Sequence, residues 1–136
     1  EVGSQATPFE HRSFGEEVDL CLRYFQLYDS ANRASGIGGG RSLGDGVWYL
    51  SSLVLGNLRY NKVMRTAPTF SVSGADFATM YYGGGGQPSN DTNPVDLIGP
   101  DSARLNIVPA TNRTQGHGCT IILGSEGSWI KLDAEL

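Results

Sequence analysis

The side chains that could carry proton transfer, nucleophilic attack or metal ligation are two histidines, two cysteines and scattered carboxylates. A serine-type hydrolase needs a nucleophile, a base and an orienting carboxylate, and His11 and His117 are the only imidazoles on offer. His11 follows Pro8-Phe9-Glu10 in an extended segment and reads as a structural hydrogen-bonding residue. His117 lies between Gly116 and Gly118, two residues before Cys119. That pair falls short of the three or four ligands a zinc ion takes, so neither metal nor other cofactor is expected. Cys21 and Cys119 both fall in apolar stretches and read as small buried hydrophobes rather than as a disulfide. Asp45, Asp76, Asp91, Asp96 and Asp101 are the candidates for a glycosidase pair, which requires two carboxyls converging across a bond. None has a recognisable catalytic spacing, and the reading is solvated loop carboxylates and no enzyme.

Binding suits the residue types better. Glycans are recognised by rings that stack on sugar faces and by planar polar groups that hold hydroxyls, carried on loops above a rigid sheet. Tyr81-Tyr82, the glycines 83–86, and then Gln87, Asn90, Asp91 and Asn93 supply those types in one stretch, which makes these six the expected ligand-binding residues. Neighbouring residues of a strand face opposite ways, so one of the two tyrosines is expected in the core. Trp48, Tyr49 and Tyr60 form a second aromatic group and Trp129 a third. The run Gly36-Ile37-Gly38-Gly39-Gly40-Arg41-Ser42 suggests phosphate binding only superficially, because the P-loop lysine is missing and no strand precedes it.

The elements that must position these residues begin with a helix. Ser13 followed by Glu16 is a capping box, and Glu16 with Glu17 places negative charge at the positive end of the helix dipole. Phe14, Val18, Cys21, Leu22 and Phe25 form one apolar stripe, and Leu20, Tyr24, Leu27 and Tyr28 a second. A helix apolar on two sides packs on two sides, against its own sheet or against another subunit. Tyr24, Tyr28 and the outward Trp129 are the expected oligomer-interface residues. The segment 30–46 reads as a Gly/Ser loop. Strands are expected over 47–55, 59–64, 69–72, 75–82, 104–108, 119–123 and 128–136, the last two joined by a hairpin-like turn at 124–127. In the last strand Ile130, Leu132, Ala134 and Leu136 alternate with Trp129, Lys131, Asp133 and Glu135, which predicts one buried and one wet face. The expected fold is mostly β: an antiparallel β-sandwich, jelly-roll-like, with one N-terminal α-helix.

With 136 residues, 39% of them hydrophobic and 18% charged, the chain is long enough for one buried core, and no second domain or repeat is visible. A net charge of −4 with ten scattered Lys and Arg argues against nucleic acid as a partner. No apolar run approaches the length of a membrane span, and no membrane insertion is expected.

The run ATPFEHRSFGEEVDLCLRYF, from Ala6 to Phe25, resembles a segment of bacteriophage and prophage tail-fibre and related virion structural proteins. The ending SWIKLDAEL also looks like the terminus of those proteins, whereas the middle, from Gly36 to Asn112, shows little likeness. The resemblance implies that residues 1–12 are the extended tail of an upstream module or linker, and that 13–136 form a single C-terminal domain. It further implies a virion module, often a homotrimer among other virion proteins, made in the host cytoplasm and facing a cell-surface receptor, glycan or protein. Host attachment is the expected role, with a purely structural capsid-decorating or fibre-connecting module as the alternative and a glycan hydrolase behind both.

Overall fold

The computed structural model describes residues 12–30, 41–91, 93–124 and 127–135. The extended segment with His11, most of the glycine-rich run and Leu136 lie outside the described residues. The elements are α1 (Phe14–Cys21), β1 (Phe25–Asp29), β2 (Ser42–Leu50), β3 (Leu53–Arg59), β4 (Thr69–Val72), β5 (Ala78–Tyr82), β6 (Gly85–Pro88), β7 (Val95–Ile98), β8 (Ser102–Ile107), β9 (Gly118–Leu123) and β10 (Trp129–Asp133). They form a mostly β domain of two antiparallel sheets, a three-stranded one in the order β1-β10-β4 and a seven-stranded one in the order β6-β5-β9-β2-β3-β8-β7.

The two sheets share one core. Tyr28, Ile130 and Leu132 on the small sheet pack with Trp48, Val54, Leu58, Met80 and Ile121 on the large one, all at most 3% exposed. β10 shows the expected alternation, with Ile130, Leu132 and Ala134 buried. At the centre of the large sheet, Gly46 on β2 pairs with Gly56 on β3. A Cβ on Gly56 would come within 2.4 Å of Ile121 Cδ1, and one on Gly46 within 2.8 Å. The two glycines therefore open the space that the Ile121 side chain fills, which is close packing built from absent side chains.

That pairing corrects the expected single strand 47–55, which would leave Gly46 and Gly56-Asn57 just outside its two ends. The chain instead turns at Ser51-Ser52, and the glycines are mid-strand partners. The hairpin expected at 124–127 is also replaced: β9 belongs to the large sheet and β10 to the small one, so this connection crosses between layers. Two short strands, β6 and β7, occupy the stretch read as loop.

The helix is the largest departure. It ends at Cys21, eight residues long, and no residue of it is buried. Its start follows the capping box, with Glu16 N–H donating to Ser13 Oγ at 3.3 Å and Ser13 N–H to Glu16 Oε2 at 2.8 Å. The residues expected to continue it become β1, because Gln26 and Tyr28 turn inward and the backbone pairs with β10 from Phe25↔Asp133 to Asp29↔Trp129. Cys21, expected in the core, is exposed, and both cysteines are free. Tyr28, expected at a subunit contact, is 2% exposed and belongs to the core.

Candidate functional site: two exposed faces of the sandwich

The outer face of the small sheet is assembled by alternation. With Gln26 and Tyr28 inward, Phe25, Leu27 and Asp29 point out on β1; on β10, Trp129, Lys131 and Asp133 do the same opposite them. Phe25 and Leu27 are 42% and 45% exposed. Lys131 Nζ lies 5.6 Å from the Phe25 ring centroid and 3.1 Å from Asp133 Oδ2, covering one end of the strip. At the other end, Leu27, Asp29, Gly127, Ser128, Trp129 and Lys131 line a groove of about 340 Å³ whose walls are almost entirely carbon. Trp129 is fixed there through its backbone, its N–H donating to Ser73 Oγ at 3.1 Å and its carbonyl accepting from Ser73 N–H at 3.0 Å. Tyr24 lies at the neighbouring edge with its ring 5.6 Å from the Arg65 guanidinium, half-exposed. α1, which precedes β1 in the chain, carries Phe14 86% and Val18 39% exposed. Lys62 Nζ ties the helix down at Asp19 Oδ2, 2.5 Å away.

The opposite face belongs to the large sheet and is aromatic and polar. Tyr81 on β5 is opposite Thr120 on β9, which is opposite Asp45 on β2, and Thr120 Oγ1 donates to Asp45 Oδ1 at 3.4 Å. Gly86 on β6 is the cross-strand partner of Tyr81, and a Cβ there would meet the Tyr81 ring at 3.1 Å. The ring therefore rests on the glycine. Farther across, Asn57, Arg104 and Asp96 are successive partners on β3, β8 and β7. Arg104 clasps Asp96 with Nε to Oδ1 at 2.7 Å and Nη2 to Oδ2 at 2.5 Å. These hydrogen bonds hold the Asp96 carboxyl below the usual carboxylate range. Tyr49, 56% exposed at the bulge in β2, lies within electrostatic range of Arg104. Strand spacing and rise put Tyr49 and Tyr81 on the order of 15 Å apart.

The six residues expected to bind ligand are not brought together. Tyr81 and Tyr82 fall on opposite faces of β5: Tyr81 outward, Tyr82 inward, its ring stacked on His117 at 4.6 Å and tilted against Trp48 at 5.9 Å. Gln87 is opposite Met80, on the inner side of the sheet edge. Asn90, Asp91 and Asn93 lie at the far end of the β5–β6 hairpin, where Asn90 N–H donates to Val108 O, Asp91 N–H to Ala75 O, and Asp91 Oδ1 accepts from Asn93 N–H at 2.9 Å. Buried Ser89 pins that stretch, donating to Ala75 O at 2.6 Å. The outer face instead sets Tyr81 with Asp45, named above among the carboxylates, Tyr49, named in the second aromatic group, and Arg104, which the sequence did not single out.

Among the described residues no three of His, Cys, Asp and Glu gather as a metal site. Cys119 is buried, and desolvation pushes its thiol up to about 11, with Asp45 adding to the effect, which leaves it a poor nucleophile. Trp48 Nε1 and His117 Nδ1 are buried without a partner among the described residues. Among those residues no helix is long and apolar enough to cross a membrane. Compared with protein-family models, curated proteins and solved structures, the chain gives no match in any of the three.

Proposed function

We propose that this chain is a non-enzymatic module of a virion fibre that assembles through its small sheet and meets a host-surface glycan with its large one. The observation that carries this reading is the division of exposed aromatic surface between the two outer faces of the sandwich. On the small sheet Phe25 and Leu27 are half-exposed and Trp129 lines a carbon-rich groove, with Asp29, Lys131 and Asp133 among them, the apolar centre and polar rim of a contact between subunits. On the large sheet Tyr49 and Tyr81 are separate rings flanking Asp45, Thr120, Arg104 and Asp96, the mixture of stacking faces and hydroxyl-holding groups a short oligosaccharide needs. The resemblance of Ala6–Phe25 to tail-fibre proteins supports the same role, and repeated weak sites on one assembly would bind by avidity.

The test is a glycan array followed by a host-cell attachment assay with Tyr49→Ala and Tyr81→Ala. Each variant is expected to keep the assembly mass and to lose about three- to tenfold in glycan affinity. An array blank for the unaltered assembly would point to the purely structural module.

A further inference from the structure

One cross-strand row runs the width of the large sheet. It passes from Gly86 and Tyr81 to Thr120 and Asp45 and then, in the register set by Gly46↔Gly56, to Asn57, Arg104 and Asp96. At the β6 end the Tyr81 ring lies over Gly86 and is 39% exposed, a platform for the apolar face of a pyranose. The side chains of the next two positions accept hydrogen bonds and do not give them. Thr120 Oγ1 directs its proton to Asp45 Oδ1 and so turns lone pairs outward. Asp45 is exposed, and among the described residues no cation pairs with its carboxylate.

We infer that this end of the row takes a non-acidic sugar, a pyranose stacked on Tyr81 with hydroxyl or amine protons of the same glycan received by Thr120 and Asp45. This rests on the glycan reading of the large sheet and names the class of glycan. Adjacent strands about 5 Å apart put Asp45 about 10 Å from Tyr81, within reach of two linked sugars lying across the strands. An acidic sugar is refused by the same groups. Its carboxylate, sulfate or phosphate brings acceptors and negative charge, and meets at Asp45 neither a proton nor a cation. The positive charges of this face are placed elsewhere: Arg104 is held by Asp96 through two hydrogen bonds, and Arg59, two residues along β3 from Asn57, stands off the row opposite Ser102.

The experiment is an array that pairs neutral and amine-bearing oligosaccharides with counterparts of the same backbone carrying a uronate or sialate. It is probed with the unaltered chain and with Asp45→Asn, Thr120→Val and Arg59→Ala. The unaltered chain is expected to bind the non-acidic member of a pair at least about tenfold better. Asp45→Asn keeps the shape and removes the charge, and is expected to narrow that preference at least about threefold. Thr120→Val is expected to weaken the non-acidic member about three- to tenfold, and Arg59→Ala to leave it within about twofold. Affinity that holds between about 50 mM and about 500 mM salt marks hydroxyls as the donors, and a steep fall marks an amine. Either supports the inference. A preference for the acidic members, an unchanged preference in Asp45→Asn, or a larger loss in Arg59→Ala than in Thr120→Val overturns it while the glycan reading stands; an array blank for every sugar overturns both.

Discussion

Gln26 shows how one buried polar side chain decides a local structure. Its Nε2 donates to Leu22 O at 3.0 Å and Lys62 O at 2.7 Å, and its Oε1 accepts from Asn61 N–H at 2.9 Å and the Tyr28 hydroxyl at 3.2 Å. All its capacity is used, and the end of α1, β1 and the segment after β3 are tied at one point. Arg41 covers the same group, its guanidinium 4.5 Å above the Tyr28 ring and bonded to Asn61 Oδ1 at 3.0 Å. Gln26→Leu removes the donor to Leu22 O and Lys62 O and leaves Asn61 N–H only the Tyr28 hydroxyl at 3.1 Å, and is expected to cost about 1–3 kcal/mol, measured by urea unfolding. At the surface, Asp96 has a folded pKa below its unfolded one. The Arg104 pair therefore stabilises the fold above the ordinary carboxylate range, and its contribution fades as pH falls through the folded value. For a pair this exposed the effect is below about 1 kcal/mol. Arg104→Gln should move the Asp96 titration, followed by NMR, back toward an ordinary aspartate.

At the scale of elements, the β2–β3 pair depends on glycine rather than tolerating it. Gly56→Ala drives a methyl group into Ile121, which is fully buried, and is expected to destabilise by about 1–3 kcal/mol. Ile121→Val removes the Cδ1 in question and should recover part of that loss in a double-mutant cycle. In β7, exposed Leu97 is held at φ +49° beside the bulge, so Leu97→Gly is expected to stabilise by a few tenths to about 1 kcal/mol. These positions also show why some elements were legible and others were not. β10 declared itself through strict alternation, and the start of α1 through its capping box, because both signals are local. The roles of Gln26, Gly46 and Gly56 were illegible for the opposite reason: they depend on Lys62, Asn61 and Ile121, partners far away in sequence. The placement of the candidate binding residues was illegible for the same reason: Tyr81 lies on the outer face of a sheet, whereas Asn90 and Asp91 are tied to Val108 and Ala75 at the other end of the hairpin.

For the whole molecule, the sandwich leaves one carbon-rich face and one aromatic-polar face. In the proposed assembly the small sheet is the face between copies, which leaves Tyr49 and Tyr81 on the large sheet available to a target. The molar mass of residues 1–136 in solution, measured by light scattering across a range of concentrations, tests this most directly. The account predicts three times the 14.6 kDa chain mass. A single-chain mass at every concentration would contradict it.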